Sequence, residues 1–320
     1  MFRHLLVTCD LGWVRNHTSF RLSLEDRFDK VTLSPLVPTL EELDIEDVTD
    51  WITDPAPRYK ITSELLSSRL PSLLRIGSPS TGTTHIDIDV QGTGVSVKCL
   101  RDIPSETLAQ ITSSSEHTFY LFLSLLRRAK RLFSADLTDW RDDLPSFRGH
   151  QISGMKIMIF GYGRIGSNLA RYFDAFNAVV TVYEPDVSKH SSNHHFVDLK
   201  NLHRAVNAAD CVFLCFHWSN ENDQFFSSSL LDAMRSDSFL VNTSRGENLD
   251  ESHLVKLIQL GKFAGVALDV MRGEQTASFR SSPLFSLEKL HERLIITPHI
   301  AGSSFESEQL AFQFILDAIT

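Results

Sequence analysis

Three residues in the second half of the chain could between them clamp a carboxylate, orient an acid/base and move a proton: Arg245, Glu274 and His299. An arginine fork matches a carboxylate and can polarise a carbonyl beside it. A histidine can carry a proton at neutral pH, and a glutamate next to it stabilises the imidazolium. Singly, each has an ordinary reading as a surface cation, a solvated loop charge or a satisfied loop histidine. Their positions argue for chemistry. The apolar run Phe239–Asn242 ends in Thr243, Ser244 and Arg245; the run Ala264–Val270 carries Asp269 and is followed by Glu274; the run Leu294–Thr297 ends in Pro298 and His299. Open parallel sheets bind ligands just beyond the carboxyl ends of their strands, which is where these residues would fall.

The element that must organise such a sheet is Lys156–Ala170, KIMIFGYGRIGSNLA. A mostly apolar run enters Gly161-Tyr162-Gly163-Arg164-Ile165-Gly166, and a helical pattern follows through Leu169, Ala170 and Phe173. This is a strand, a glycine turn and a helix start, the unit that places a pyrophosphate on a helix N-terminus. Gly161 permits the tight turn, Gly163 lets the backbone approach phosphates, and Gly166 lets helix and strand pack closely. A second apolar run, Val179–Tyr183, ends in Glu184, at the distance expected for an acid that accepts from the adenosine ribose hydroxyls. A buried βαβ unit that binds nothing would explain the glycines but not the acid, so the dinucleotide reading is preferred.

At 320 residues the chain exceeds a typical single domain, and two α/β domains are expected. A net charge of −9 argues against a nucleic-acid or membrane-surface binder. Cys9, Cys99, Cys211 and Cys215 are scattered; none forms a CxxC pair or completes a zinc site, so no metal is expected and a reduced cytoplasmic protein is the simplest reading. The N-terminal MFRHLLVTCD is too short in apolar residues for a signal peptide, and no stretch could span a bilayer.

Earlier in the chain, short strands are expected at 3–8, Lys30–Leu33, Asp50–Thr53 and Leu73–Ile76, giving a small parallel sheet. The Gly/Ser/Thr/Pro loop at 77–89, GSPSTGTTHIDID, offers free backbone N–H groups suited to a carboxylate, or is a plain surface turn. One long helix is predicted over Glu116–Phe133, apolar on most of its circumference and therefore buried on several sides, a brace between domains or subunits. A helix at Glu251–Leu260 is closed by Gly261.

The blocks FGYGRIGSNLARY, VNTSRGENLDESHLVKLIQLGKFAGVALDV and ITPHIAG resemble the signature segments of the D-isomer-specific 2-hydroxyacid dehydrogenases, which include phosphoglycerate dehydrogenases and glyoxylate/hydroxypyruvate reductases. STGTTHIDI and SSSEHTFYLFLSLLRR are similar to this family's substrate loop and first cofactor-domain helix. The resemblance implies two doubly wound parallel-sheet domains, a Rossmann cofactor domain at 104–298 inserted in a flavodoxin-like substrate domain formed by 1–103 and 299–320, with the last helix starting near 299. It implies NAD as cofactor and a small 2-oxo/2-hydroxy acid as substrate. By position, Arg245, Glu274 and His299 would be catalytic. Gly161, Gly163, Arg164, Ile165, Gly166, Glu184, His217, Thr243, Ser244 and Asp269 would contact the cofactor, Asp269 at the nicotinamide amide. Ser80, Thr81 and Gly82, with Arg245, would hold the substrate carboxylate. A homodimer through the cofactor domain, at the helix Glu116–Phe133 and the Trp140-bearing loop, is also implied.

The sequence departs from the family pattern at four places: Glu184 stands for the usual aspartate, FHWSNEND lacks a proline two residues after His217, VMRGEQ places Arg272 and Gly273 beside Glu274, and Ser80 replaces a frequent glycine. Two other functions are compatible with the motifs. One is an NAD-sensing scaffold resembling the family's corepressors; the other is a phosphoglycerate-type dehydrogenase, for which Arg58 and Lys60 are the nearby cations.

Overall fold

The computed structural model describes residues 2–57, 59–135, 144–191, 193–274 and 277–320; Arg58 and Trp140 lie outside the described residues. The chain divides into two compact units, Met1–Ile111 with Ser303–Thr320, and Thr112–Gly302.

In the first unit the strands are His4–Val7 (β1), Lys30–Leu33 (β2), Asp50–Ile52 (β3), Ile61–Thr62 (β4), Arg75–Ser78 (β5), Ile86–Asp87 (β6) and Ser96–Cys99 (β7). Five of them form a parallel sheet in the order β2-β1-β3-β5-β7, and β4 pairs separately with β6. Counted within the sheet this is 2-1-3-4-5, the flavodoxin-like order. β1 is buried along its whole length. Leu5 and Val7 pack with Leu24, Phe28 and Phe312, while Leu6 packs on the other face with Trp51 and Ile76. Burial on both faces is why the strand reads as a continuous apolar run. The strand expected at Leu73–Ile76 is shifted to Arg75–Ser78.

The second unit contains Lys156–Phe160 (β8), Val179–Tyr183 (β9), His195–Phe196 (β10), Cys211–Leu214 (β11), Phe239–Asn242 (β12), Gly265–Leu268 (β13) and Leu294–Ile296 (β14). Their order is β10-β9-β8-β11-β12-β13-β14, all parallel, and it reverses between β8 and β11. That reversal is the switch point at which a doubly wound sheet opens a ligand crevice.

The units part at Ile111/Thr112 and Gly302/Ser303, later than residues 103 and 298. Leu100, Ile103, Leu108 and Ile111 belong to the apolar cluster around Phe312, so the chain leaves the first unit only after them. The last helix runs Phe305–Ile319, N-capped by Ser304, and does not begin near 299. His299 is left-handed (φ 55°), and the N–H groups of Ile300 and Ala301 are taken by Asp269, so this stretch is a turn of the second unit.

The single helix expected over Glu116–Phe133 is two, Ser113–Leu126 and Ala129–Phe133. His150 N–H donates to Leu126 O (3.1 Å), and a side chain on Gly149 would come within 2.2 Å of that oxygen. The returning chain thus takes the first helix's terminal carbonyl, and Arg128 turns left-handed (φ 54°). Most of the first helix's apolar cover is internal to its unit: Leu121, Phe122, Leu125 and Leu126 pack with Ile157, Ile159, Phe173 and Phe213. Gly261 (φ 73°) ends the helix Glu251–Gln259 as expected. All four cysteines are free, and no described helix is long and apolar enough to cross a membrane.

Candidate active site

The glycine loop leaves β8 at the switch point. Gly161 is left-handed (φ 91°), and a Cβ there would lie 2.8 Å from Cys215 O, so both conformation and space require glycine. A Cβ on Gly166 would lie 2.0 Å from Gly161 O, which shows how closely the helix Arg164–Ala175 is drawn onto the turn. Gly163 is the N-cap of that helix, and a Cβ there would meet nothing within 4 Å. Two glycines are demanded by the protein's own packing, and the third borders open space over the helix N-terminus. That is the shape a pyrophosphate needs. Arg164 and Ile165 form the first turn, half-buried; burial pushes the Arg164 guanidinium down from its usual range.

The three glycines therefore separate in behaviour. Gly166→Ala is expected to cost about 1–3 kcal/mol of stability from overpacking. Gly163→Asp introduces a favoured N-cap and no clash, so its Tm should match wild type while NADH affinity falls at least about tenfold. Thermal denaturation and a fluorescence titration on both variants check this.

Glu184 follows β9 and is only 8% exposed. Its Oε2 accepts from Tyr162 N–H (2.9 Å) and its Oε1 from Asp186 N–H (3.0 Å), so the carboxylate is tied to the glycine loop itself. Lys189 Nζ lies 3.8 Å from Glu184 and 3.6 Å from Asp186, which places a cation beside the acid.

At the other side of the switch point, Asn242 organises the end of β12. Its Oδ1 accepts from Ser244 N–H (3.1 Å) and Ser244 Oγ (2.7 Å), and its Nδ2 donates to Arg245 O (3.0 Å). Asn248 Nδ2 donates to Ser244 Oγ and to Phe216 O, both at 3.0 Å. Thr243 Oγ1 is 2.6 Å from Thr118 Oγ1. Thr243 and Ser244 are therefore buried and locked, and Arg245 is presented from a fixed turn. Among the described residues its guanidinium has one partner, Ser244 O at 2.7 Å, which leaves most of the fork for a ligand. A Cβ on Gly246 would lie 2.0 Å from the Met271 backbone, so the Arg245 turn presses directly on the loop that leads to Glu274.

That loop is strapped at each residue. Met271 N–H donates to Glu274 Oε2 (3.2 Å), Arg272 N–H to Glu251 (3.0 Å) and Gly273 N–H to Glu247 (3.1 Å). The Arg272 side chain pairs with Asp223 at 3.0 Å, away from Glu274's carboxylate. His299 Nδ1–H donates to Glu274 Oε1 at 2.5 Å. With Nδ1 engaged, Nε2 is the nitrogen left to give or take a proton, and the ring is 46% exposed. The backbone of His299 is held in its left-handed conformation by N–H bonds to Asp269 O (2.8 Å) and Thr297 O (3.0 Å).

Asp269, 1% exposed, anchors this turn. Its Oδ1 accepts from Thr297 Oγ1 (2.6 Å) and Ile300 N–H (3.0 Å), its Oδ2 from Ala301 N–H (2.9 Å), and His117 Nε2 lies 3.5 Å from Oδ1. Burial alone would push this carboxyl up; the hydrogen bonds from His117, Thr297, Ile300 and Ala301 outweigh it and hold it below the usual carboxylate range. His117, Thr118, Asn242, Asn248 and Lys189 all went unnoticed in the sequence. A polar residue ending a buried strand or interrupting an apolar helix was the only available sign.

His217 is exposed at the start of the stretch that lacks a proline. Asn222 braces it instead, donating from Nδ2 to His217 O (2.8 Å) and accepting from Ser219 N–H (2.7 Å). Ser80, Thr81 and Gly82 lie in the first unit, in the loop after β5. Lys60 is exposed there. Among the described residues no cluster of His, Cys, Asp and Glu could hold a metal ion.

Residues 119–301 match the family model of the D-isomer specific 2-hydroxyacid dehydrogenase NAD-binding domain. D-3-phosphoglycerate dehydrogenase of Bacillus subtilis is 25% identical over 299 residues, 90% of this chain and 54% of that protein. The chain thus spans about half the length of that relative. Glyoxylate reductase of Pyrococcus furiosus is 25% identical over 258 residues, 77% of this chain and 71% of its own length. Among solved structures, D-lactate dehydrogenase from Aquifex aeolicus, complexed with NAD and lactic acid, superposes with a TM-score of 0.76 at 23% identity, covering 99% of this chain and 95% of that one.

Proposed function

The chain belongs to the D-isomer-specific 2-hydroxyacid dehydrogenase family, and from that premise we propose that it interconverts a 2-oxo acid and a D-2-hydroxy acid with NAD as cofactor. The observation that supports this reading best is the His299–Glu274 pair on its braced turn, one strand end removed from the Asp269 anchor and two from Arg245. The glycine loop Gly161–Gly166 fits the pyrophosphate, Glu184 the adenosine ribose, and His217, Thr243 and Ser244 the remainder of the cofactor. Bound NADH supplies the hydride for C2 of the substrate.

In reduction, Arg245 holds the substrate carboxylate and polarises the 2-oxo group, lowering the cost of charge that develops on its oxygen. His299 Nε2–H delivers the proton to that oxygen, and Glu274 stabilises the imidazolium and fixes the ring's orientation. In oxidation the same ring accepts the proton. Asp269 holds the turn beneath His299; its Oδ2, with one donor among the described residues, is the oxygen left for the nicotinamide amide. Ser80, Thr81 and Gly82 are proposed to donate backbone N–H groups to the substrate carboxylate. Steady-state NADH oxidation with glyoxylate, hydroxypyruvate, pyruvate and a phosphorylated 2-oxo acid tests the reading and identifies the side chain.

NADH is expected to exceed NADPH in kcat/KM by at least about tenfold, roughly 1.4 kcal/mol. Glu184 repels a 2′-phosphate, and Lys189 is held by Glu184 and Asp186. Glu184→Ala removes the repulsion and frees Lys189, so it should narrow or invert the ratio. Equal efficiency of the wild type with both cofactors would contradict the assignment.

We further propose a cytoplasmic homodimer through the cofactor unit. Tyr120, Phe133 and Phe176 are exposed on or beside the helix pair, Phe133 at 82%, a concentration of aromatic surface that a second copy would cover. Light scattering should return twice the mass of one chain; a monomer at micromolar concentration would refute this.

A further inference from the structure

Behind the loop that follows β5, a buried imidazole is wired to the backbone of Gly82. His85 is 5% exposed, and Ser78 and Thr53 have no exposed surface. His85 Nε2 lies 3.3 Å from Ser78 Oγ and 3.3 Å from Thr53 Oγ1. Ser78 Oγ is 2.9 Å from Ser80 Oγ, and Ser80 Oγ donates to Gly82 O at 2.6 Å.

The hydrogens available fix the direction of this hydrogen-bond relay. Each hydroxyl has one hydrogen to give. Thr53 gives its hydrogen to Asp54 O (3.0 Å) and Ser80 gives its own to Gly82 O. Ser78 must then donate to Ser80, and both Ser78 and Thr53 are left only as acceptors toward His85. His85 therefore carries its hydrogen on Nε2. Burial lowers its pKa to about 4, so at neutral pH the ring is uncharged and stays a one-proton donor. The ends of the loop are pinned independently: Leu100 N–H donates to Ser80 O (3.0 Å), Ile86 N–H to Thr83 O (2.9 Å) and Ile61 N–H to His85 O (2.9 Å). Among the described residues, the N–H groups of Ser80, Thr81 and Gly82 donate to nothing. Three successive amides without a partner among the described residues, with the Gly82 carbonyl taken up by Ser80, are donors available to an anion.

We propose that His85, acting through Ser78 and Ser80, is a positioning residue that sets the substrate-carboxylate affinity of the Ser80–Gly82 amides. This rests on the reading of the loop given under Proposed function. His85 never touches substrate; it fixes which way the loop's peptide groups face. The serine at position 80, a departure from the family's frequent glycine, is the link that connects the buried ring to the loop.

The test compares His85→Leu, His85→Gln and Ser78→Ala in the full chain with NADH present. Leucine keeps the volume without a donor, glutamine restores an N–H near the Nε2 position, and alanine breaks the chain at its middle with little change in packing. Two readouts are taken: hydrogen exchange across residues 78–85 with and without oxamate, and KM and kcat for the best 2-oxo acid. In wild type, oxamate should slow exchange in this segment. In His85→Leu and Ser78→Ala, that protection should be lost and KM should rise about tenfold, with kcat and NADH affinity within about threefold, the pattern of lost ground-state binding. His85→Gln should recover most of the KM. The double variant should be no worse than the worse single, because both cut one path. Unchanged oxamate protection in both single variants, or a fall in kcat at constant KM, overturns the proposal. A wild type that oxamate protects but that turns over no 2-oxo acid overturns the reductase reading and leaves the exchange comparison to decide the role of His85.

Discussion

His299→Ala will lower kcat for reduction of the best 2-oxo acid by roughly 10²–10⁴-fold, the usual contribution of a positioned general acid, or about 3–5 kcal/mol of barrier. The ring stands on a left-handed turn whose two neighbouring N–H groups bind Asp269, and its Nδ1–H is engaged by Glu274. Removing the ring leaves that backbone scaffold in place, so the loss should fall on kcat while NADH affinity stays within about twofold. Left-handed conformation is not favourable for alanine, so His299→Asn, which tolerates it better, serves as the control for folding and should be equally inactive. Glu274→Gln keeps the contact's shape but removes its charge, and should give an intermediate loss. A His299→Ala enzyme with near-wild-type turnover would remove the proton-transfer role and favour the NAD-sensing scaffold.

Arg245→Ala should lower kcat by about 10²–10³-fold, as expected for loss of a donor aimed at developing oxyanion charge, and should also raise KM if, as proposed, the same fork holds the carboxylate. Both effects belong to one side chain, which separates it from His299, whose loss is confined to kcat. Asn242 and Asn248 fix the turn on which Arg245 sits through bonds that do not involve its guanidinium, so the variant should retain wild-type Tm. Arg245→Lys should recover little, since a single ammonium cannot reproduce a planar two-pronged contact. A variant that loses KM alone, with kcat preserved, would show that Arg245 binds the substrate without assisting the reaction.

The doubly wound architecture was legible because its central strands are buried on both faces and so stand out as unbroken apolar runs. β8, β12 and β13 were placed to within a residue or two on that basis. Gly161 and Gly166 were legible because conformation or space permits little else there, and Gly163 by its spacing between them. Helix ends fared worse. The break at Arg128 depends on His150 reaching back to Leu126 O, a long-range contact with no local sign in an apolar helix. The start of the last helix at Phe305 depends on Asp269 capturing the N–H groups of Ile300 and Ala301. The positions of Arg245, Glu274 and His299 could be read from strand ends, but the residues that brace them could not. Asn242, Asn248, His117 and Thr118 act through tertiary hydrogen bonds, and their types alone say nothing about their partners. Lys189 was missed for a different reason: it comes near Glu184 only because a short helical turn, Val187–Lys189, folds it back.

The proposed reaction transfers hydride to C2 of a 2-oxo acid and gives the D-hydroxy product. Incubating it with glyoxylate, hydroxypyruvate or pyruvate and NADH carrying deuterium at both C4 positions, then examining the product by proton NMR and chiral chromatography, tests this directly. With the substrate it prefers, the product should carry one deuterium on C2, and with pyruvate or hydroxypyruvate it should be the D isomer. Product with no deuterium at C2, the L isomer, or no product from any of the three acids or a phosphorylated one despite measurable NADH binding would rule this reaction out.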